Sequence, residues 1–88
     1  QIPSEEVKID RSFISNIEHS PEDRTLVKTA IDMIHSLGRI AVAEGVETED
    51  VARLLIGLGC DNAQGFHFSK ATTMDELIRK LERKSLAA

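Results

Sequence analysis

Ile40-Ala41-Val42-Ala43 is apolar at four consecutive positions and then breaks abruptly to Glu44-Gly45. A strand with one wet face alternates apolar and polar residues. An uninterrupted apolar run bounded by a turn signal belongs instead to a strand covered on both faces, the habit of parallel sheets flanked by helices. This short run restricts the chain more than any other stretch, and the segments around it agree with it.

Val7-Lys8-Ile9-Asp10 alternates with period two, which predicts a short strand over about 6–10, with Glu6, Lys8 and Asp10 on the face opposite Val7 and Ile9. Glu6 then points into the floor of a sheet with no evident partner. Ser20-Pro21-Glu22-Asp23 is a helix start, with Ser20 as N-cap, Pro21 at the first helical position and two acids in the first turn. The spacing of Leu26, Val27, Ala30, Ile31, Met33, Ile34 and Leu37 predicts an amphipathic helix over 21–37, stopped by Gly38. The apolar run predicts a second strand over 40–44. Thr48 caps a helix over 49–58, in which Val51, Leu54, Leu55 and Leu58 share a face, and Gly59 ends it. A weaker strand is expected over 62–66. Thr73-Met74-Asp75-Glu76 forms a capping box opening a helix over 74–84 that buries Leu77, Ile78 and Leu81, with Ser85 to Ala88 fraying. The order β-α-β-α-β-α with short connections fits right-handed parallel crossovers. Two α/β architectures satisfy it: a small open parallel sheet, or three consecutive βα units of a (β/α)8 barrel.

Composition removes several function classes. With 11 Lys+Arg against 15 Asp+Glu the net charge is −4, so the concentrated positive surface that phosphate backbones need is missing and nucleic acid is not an expected partner. No apolar run approaches the roughly 20 residues of a membrane span, and no signal peptide opens the sequence, so a cytoplasmic chain is expected. Cys60 is the single cysteine and reads as a small buried hydrophobe. The basic run Arg79-Lys80 with Arg83-Lys84 is a solvated helix face favourable to the dipole. His19, His35 and His67 lack metal-ligand spacing and read as surface or loop residues. Gly57 and Gly59 lie at a helix end, where a dinucleotide-binding fingerprint has no place.

The polar residues able to do chemistry gather where strands end and helices have not begun. Lys8 and Asp10 close the first strand, Glu44 and Glu47 the second, and Gln64 the third. In a parallel sheet these ends lie along one edge, the edge on which α/β barrels build active sites. Each residue has an ordinary explanation as well: alternate polar residues suit a half-exposed strand, Glu47 gains dipole stabilisation before a helix, and Gln64 can satisfy backbone groups beside Gly65. Glu44, a charge straight after four apolar residues, is the hardest to explain that way.

The segments Val7-Lys8-Ile9-Asp10-Arg11-Ser12-Phe13, Ala43-Glu44-Gly45-Val46-Glu47-Thr48 and Gly59-Cys60-Asp61-Asn62-Ala63-Gln64-Gly65-Phe66-His67-Phe68-Ser69 resemble the C-terminal part of an EAL domain, a family of cyclic-di-GMP phosphodiesterases. The resemblance covers nearly the whole chain. It implies a (β/α)8 barrel that hydrolyses cyclic-di-GMP to linear pGpG with two Mg²⁺ or Mn²⁺ ions at the strand ends. It implies for Lys8 a contact to the catalytic or a metal-bound water, for Glu44 an association with the second metal, and for Gln64 a place near the metal-water cluster. Asp10 and Glu47 match positions that shape the site and its loops. Two such metal cations about 4 Å apart can generate a nucleophilic hydroxide and stabilise the departing oxygen.

The family's signature Glu-Ala-Leu strand, its Asn and Glu metal ligands and its paired aspartates lie upstream of Gln1. The chain, which also lacks an initiator Met, is thus expected to be the C-terminal portion of one such domain over 1–88, unable to assemble the dinuclear site and inactive alone. After Phe68-Ser69 the family usually has a basic residue followed by Pro, whereas this sequence runs Lys70-Ala71-Thr72. The competing expectation is a catalytically silent EAL-like module serving as a cyclic-di-GMP receptor or protein-interaction surface. Cutting a barrel leaves raw sheet edges, so a homo-oligomer is expected of the isolated chain.

Overall fold

A computed structural model describes residues 5–65 and 72–87. The elements are β1 (Glu6–Ile9), α1 (Arg11–Ile14), α2 (Pro21–Ser36), β2 (Ile40–Val46), α3 (Glu49–Leu58), β3 (Asn62–Gly65), β4 (Thr72–Thr73) and α4 (Met74–Ala87). They form one sheet in the order β1-β2-β3-β4. The first three strands are parallel, and β4 pairs antiparallel with β3. This is the α/β arrangement of three consecutive parallel βα units. The apolar run lies in its middle strand, where Ala41, Val42 and Ala43 have no exposed surface.

The register assigns the faces. Val7 pairs with Ala41, and Ile9 with Ala43, which pairs in turn with Ala63. These residues meet Val27, Ile31 and Ile34 of α2, Val51, Ala52 and Leu55 of α3, and Met74 and Leu77 of α4 in one core. Ile31 and Leu55 are fully buried, and each such side chain stabilises the fold by roughly 1.5–3 kcal/mol relative to an exposed one. Cys60 joins this core as expected, and its burial pushes the thiol up to about 11.

Local chemistry sets the helix starts. Ser20 Oγ accepts from the Asp23 amide and Thr48 Oγ1 from the Val51 amide, each at 3.1 Å, and Thr73 Oγ1 accepts from the Glu76 amide at 3.1 Å. These are the caps expected from the sequence. Gly38 and Gly59 follow the ends of α2 and α3.

The ends of several elements differ from expectation. The first strand stops at Ile9 because Asp10 leaves it to cap α1, a turn of helix not expected from the sequence; α1 buries Ile14 and the turn after it buries Ile17, both completely. The second strand continues past Glu44 to Val46, since Val46 has a core position to fill. Helix α2 ends at Ser36 with Leu37 as its C-cap, and the backbone of α4 stays helical through to Ala87 rather than fraying from Ser85. The expected strand end Phe66, His67, and the side chains of Leu81 and Lys84 lie outside the described residues.

Leu26, Met33 and Leu37 were expected within the buried face of α2, yet they are 54%, 60% and 63% exposed. Only Val27, Ile31 and Ile34 of that helix are buried. The reason is topological. β1 is an edge strand, and beside it Phe13, Leu26, Ala30 and Met33 line an open apolar cleft of about 500 Å³ with Val7 and Ile9. Among the described residues no helix is long and apolar enough to cross a membrane.

Candidate functional site

Successive strand residues alternate between faces, and partners in a parallel register share a face. Lys8 pairs with Val42, which pairs with Asn62. These three therefore lie opposite the helix-packed core. Glu44 and Gln64 follow two residues later on the same face, nearer the carboxyl ends of β2 and β3. The fold thus brings Lys8, Glu44 and Gln64 to one side of three adjacent strands. Lys8 is exposed, and Glu44 and Gln64 are half-buried.

The upper part of this row is irregular. From Ala43 to Val46 β2 advances three residues while β3 advances two, from Ala63 to Gly65. Glu44 and Gly45 together therefore stand against Gln64. Such a bulge bends the strand and re-aims its side chains, and bulges concentrate at barrel rims beside active sites.

Asp10 and Glu47 are placed differently. Asp10 Oδ2 accepts from the Ser12 amide at 2.9 Å, capping α1. The Ser12 side chain, then its amide, hold the Asp10 carboxyl below its ordinary range. Glu47 is exposed beyond the end of β2, beside a hollow of about 140 Å³ that it lines with Arg11, Ser15, Glu18 and Thr48.

Asn62 and Asp61, to which the sequence assigned no role, make contacts at the amino ends of the strands. Asn62 Nδ2 donates to Glu6 Oε2 at 3.4 Å, across β2 from the start of β3 to the start of β1. Glu6 thereby gains the partner its parity demanded. The only available signal was that both residues fall on the Lys8 face. Asp61, just before β3, accepts the Ala41 amide on Oδ2 at 2.7 Å and pairs with His35 at 2.7 Å. Nothing in the spacing of His35 and Asp61 advertises this contact.

Among the described residues no group of three or more His, Cys, Asp and Glu side chains is placed to hold a metal ion. Glu44 offers one carboxylate on the open face, and Asp10 is engaged with Ser12. The donor set does not fit a complete divalent-metal centre, which draws on several oxygen ligands at once. What the edge supplies is one cation, one carboxylate and one carboxamide.

The family profile of the EAL domain matches residues 1–71. This chain belongs to the EAL domain family. Among its curated relatives is the bifunctional diguanylate cyclase/cyclic di-GMP phosphodiesterase MucR of Pseudomonas aeruginosa, 36% identical over 78 residues that span 89% of this chain and 11% of the relative. Among solved structures, the PaMucR phosphodiesterase in complex with c-di-GMP is 37% identical with a TM-score of 0.69, covering 86% of this chain and 31% of that one. The manganese/cy-diGMP complex of Klebsiella pneumoniae BlrP1 is 31% identical with a TM-score of 0.70, covering 76% of this chain and 17% of that one. The EAL chain therefore spans about a tenth of the length of the first curated relatives it matches. The matched residues include the segments around Lys8, Glu44 and Gln64, and the parallel βα units match the EAL structures in fold.

Proposed function

We propose that this chain is the C-terminal part of a cyclic-di-GMP phosphodiesterase domain, contributing three side chains to a site completed by the rest of that domain. The observation that carries this reading is the placement of Lys8, Glu44 and Gln64 on one open face near the carboxyl ends of three adjacent parallel strands, the position where α/β barrels do chemistry. The relatives named as c-di-GMP phosphodiesterases, and the neighbour holding manganese with the nucleotide, support the substrate and the metal class.

The roles follow from side-chain chemistry. Lys8 presents an ammonium to a phosphate oxygen or an attacking water. Glu44 is one carboxylate ligand toward Mg²⁺ or Mn²⁺, insufficient by itself because the described residues add no cluster around it. Gln64 donates and accepts through one carboxamide, which suits orienting a water or the nucleotide. Asp10 and Glu47 support the loops at this edge. The same reading places the domain in the cytoplasm, where an acidic protein meets an anionic dinucleotide through bound cations.

The isolated chain self-associates in this reading, because among the described residues β1 is the edge of the sheet beside the apolar cleft.

Conversion of cyclic-di-GMP to pGpG with Mg²⁺ or Mn²⁺, followed by chromatography, tests the assignment. The 88-residue chain alone shows no turnover. A whole EAL domain carrying this segment shows turnover that falls at least about 100-fold in Glu44→Gln and Lys8→Met, in line with the loss of one positioned polar group. Turnover by the isolated chain, or full activity in Glu44→Gln, overturns the proposal. Nucleotide binding by the whole domain without turnover identifies a receptor instead.

A further inference from the structure

Glu44 and Gln64 are the opposed residues of the β2 bulge, so whatever holds the bulge also aims both side chains. The core shows that the bulge is built in. Ala41, Ala43 and Val46 all belong to the helix-covered core, although strict alternation would send Val46 to the opposite face from Ala43. The extra residue resolves the conflict. Val46 returns to the core while Glu44 keeps the face of Val42.

The bulge is confined from two sides. A Cβ added at Gly45, whose φ is +78°, would lie 2.6 Å from the Cβ of Arg11 at the start of α1. A Cβ added at Gly65, whose φ is +137°, would lie 2.5 Å from the carbonyl oxygen of Val46 and 2.6 Å from its nitrogen. Both glycines have backbone angles that side chains disfavour, and both allow an approach that a methyl would block. Their obstacles differ in kind. Gly45 faces a side chain, which can be removed, whereas Gly65 faces backbone, which cannot.

We propose that Arg11 against Gly45, and Val46 against Gly65, form a two-sided clamp that fixes the bulge and thereby orients Glu44 and Gln64. Arg11, Gly45 and Gly65 are positioning residues for the edge, with Arg11 acting through its Cβ rather than its charge. The importance of that orientation for cyclic-di-GMP chemistry rests on the preceding proposal; the clamp itself does not.

The test is a mutant cycle on the 88-residue chain, read by NMR in the absence of nucleotide and metal. The signals are the Gln64 side-chain amide pair and the Glu44 backbone amide. Gly45→Ala displaces both. Arg11→Gly combined with Gly45→Ala brings them part of the way back toward their positions in Arg11→Gly alone, because the nearest remaining Arg11 atom is its Cα at 3.5 Å, an ordinary contact, while the +78° backbone angle still disfavours a side chain. Gly65→Ala also displaces both signals, and adding Arg11→Gly does not return them. Unmoved signals in Gly45→Ala, or a displacement that Arg11→Gly leaves undiminished, overturn the clamp. Should Gly45→Ala fail to fold, recovery of a folded spectrum in the double variant supports the proposal, and continued unfolding overturns it. A phosphodiesterase reading that fails shows up separately, as a whole domain inert toward cyclic-di-GMP while this cycle behaves as described.

Discussion

Asp61 accepts the Ala41 amide and the His35 ring on the same oxygen, Oδ2, each at 2.7 Å. One carboxylate thus joins the last turn of α2 to the start of β2, just before β3 begins. Its backbone extends the join, since the Asp61 carbonyl accepts the Met74 amide at 2.9 Å and its amide donates to Ala41 at 3.2 Å. The junction lies at the amino ends of β2 and β3, away from Glu44 and Gln64, where barrel residues serve stability.

Asp61→Ala is therefore expected to lower stability by about 1–3 kcal/mol, since it leaves a partly buried amide without its charged acceptor. His35→Ala is expected to cost less, about 0.5–1 kcal/mol, because both partners of that pair are more than a third exposed. Urea unfolding of the two variants measures the difference. Equal losses would show that the His35 contact, rather than the Ala41 amide, dominates.

Asp10 makes an acid-side prediction. The Ser12 side chain, followed by the Ser12 amide, lowers its carboxyl below the ordinary value of 3.8. A carboxylate depressed on folding adds stability that is fully present above the unfolded value and is lost as pH falls through the folded one. NMR titration should place the Asp10 midpoint below 3.8, and Ser12→Ala should move it part of the way back while the amide still donates. A midpoint at or above 3.8 in the parent chain would contradict the cap geometry.

The parts of the fold legible in the sequence are those set by near neighbours. Ser20, Thr48 and Thr73 cap helices through bonds reaching three residues along the chain, and the apolar run over 40–43 marked a central parallel strand without reference to anything distant. The bulge was not legible. Gly45 looks like an ordinary loop glycine after a strand, and only pairing with Gly65 reveals that Glu44 and Gly45 share one opposing residue. Helix α1 escaped notice because its four residues are too short for periodicity to register. The width of the α2 apolar stripe suggested more burial than occurs, since periodicity reports which residues avoid water but not which neighbours are present to cover them. For the candidate edge, residue types and strand order were readable; the aim of the side chains was not.

The apolar cleft beside β1 predicts concentration-dependent association of the chain. Phe13, Leu26 and Met33 are 46%, 54% and 60% exposed around it, and among the described residues the adjacent β1 is the edge of the sheet. Light scattering at micromolar concentration should show a species heavier than a monomer. Leu26→Glu combined with Met33→Glu should shift it to monomer with little change in helical circular dichroism, since neither side chain belongs to the core. A monodisperse parent monomer would remove the self-association proposal.

The Glu6 and Asn62 pair separates geometry from energy on the open face. Their hydrogen bond spans 56 positions of sequence and explains why an acid alternates with Lys8 at the start of β1. Its length of 3.4 Å and its exposure nevertheless argue for a small contribution. A double-mutant cycle with Glu6→Ala and Asn62→Ala should give a coupling of about 0.5 kcal/mol or less. Ile31→Ala, by contrast, removes a fully buried side chain from the core, and should cost about 2–5 kcal/mol by creating a cavity between α2 and the sheet. Marginal stability leaves room for the first loss and little for the second. A coupling above about 1 kcal/mol would instead make the pair a structural tie across β2. A small one leaves the polar face beneath Glu44 and Gln64 free to vary, with the fold secured on its helix-covered side.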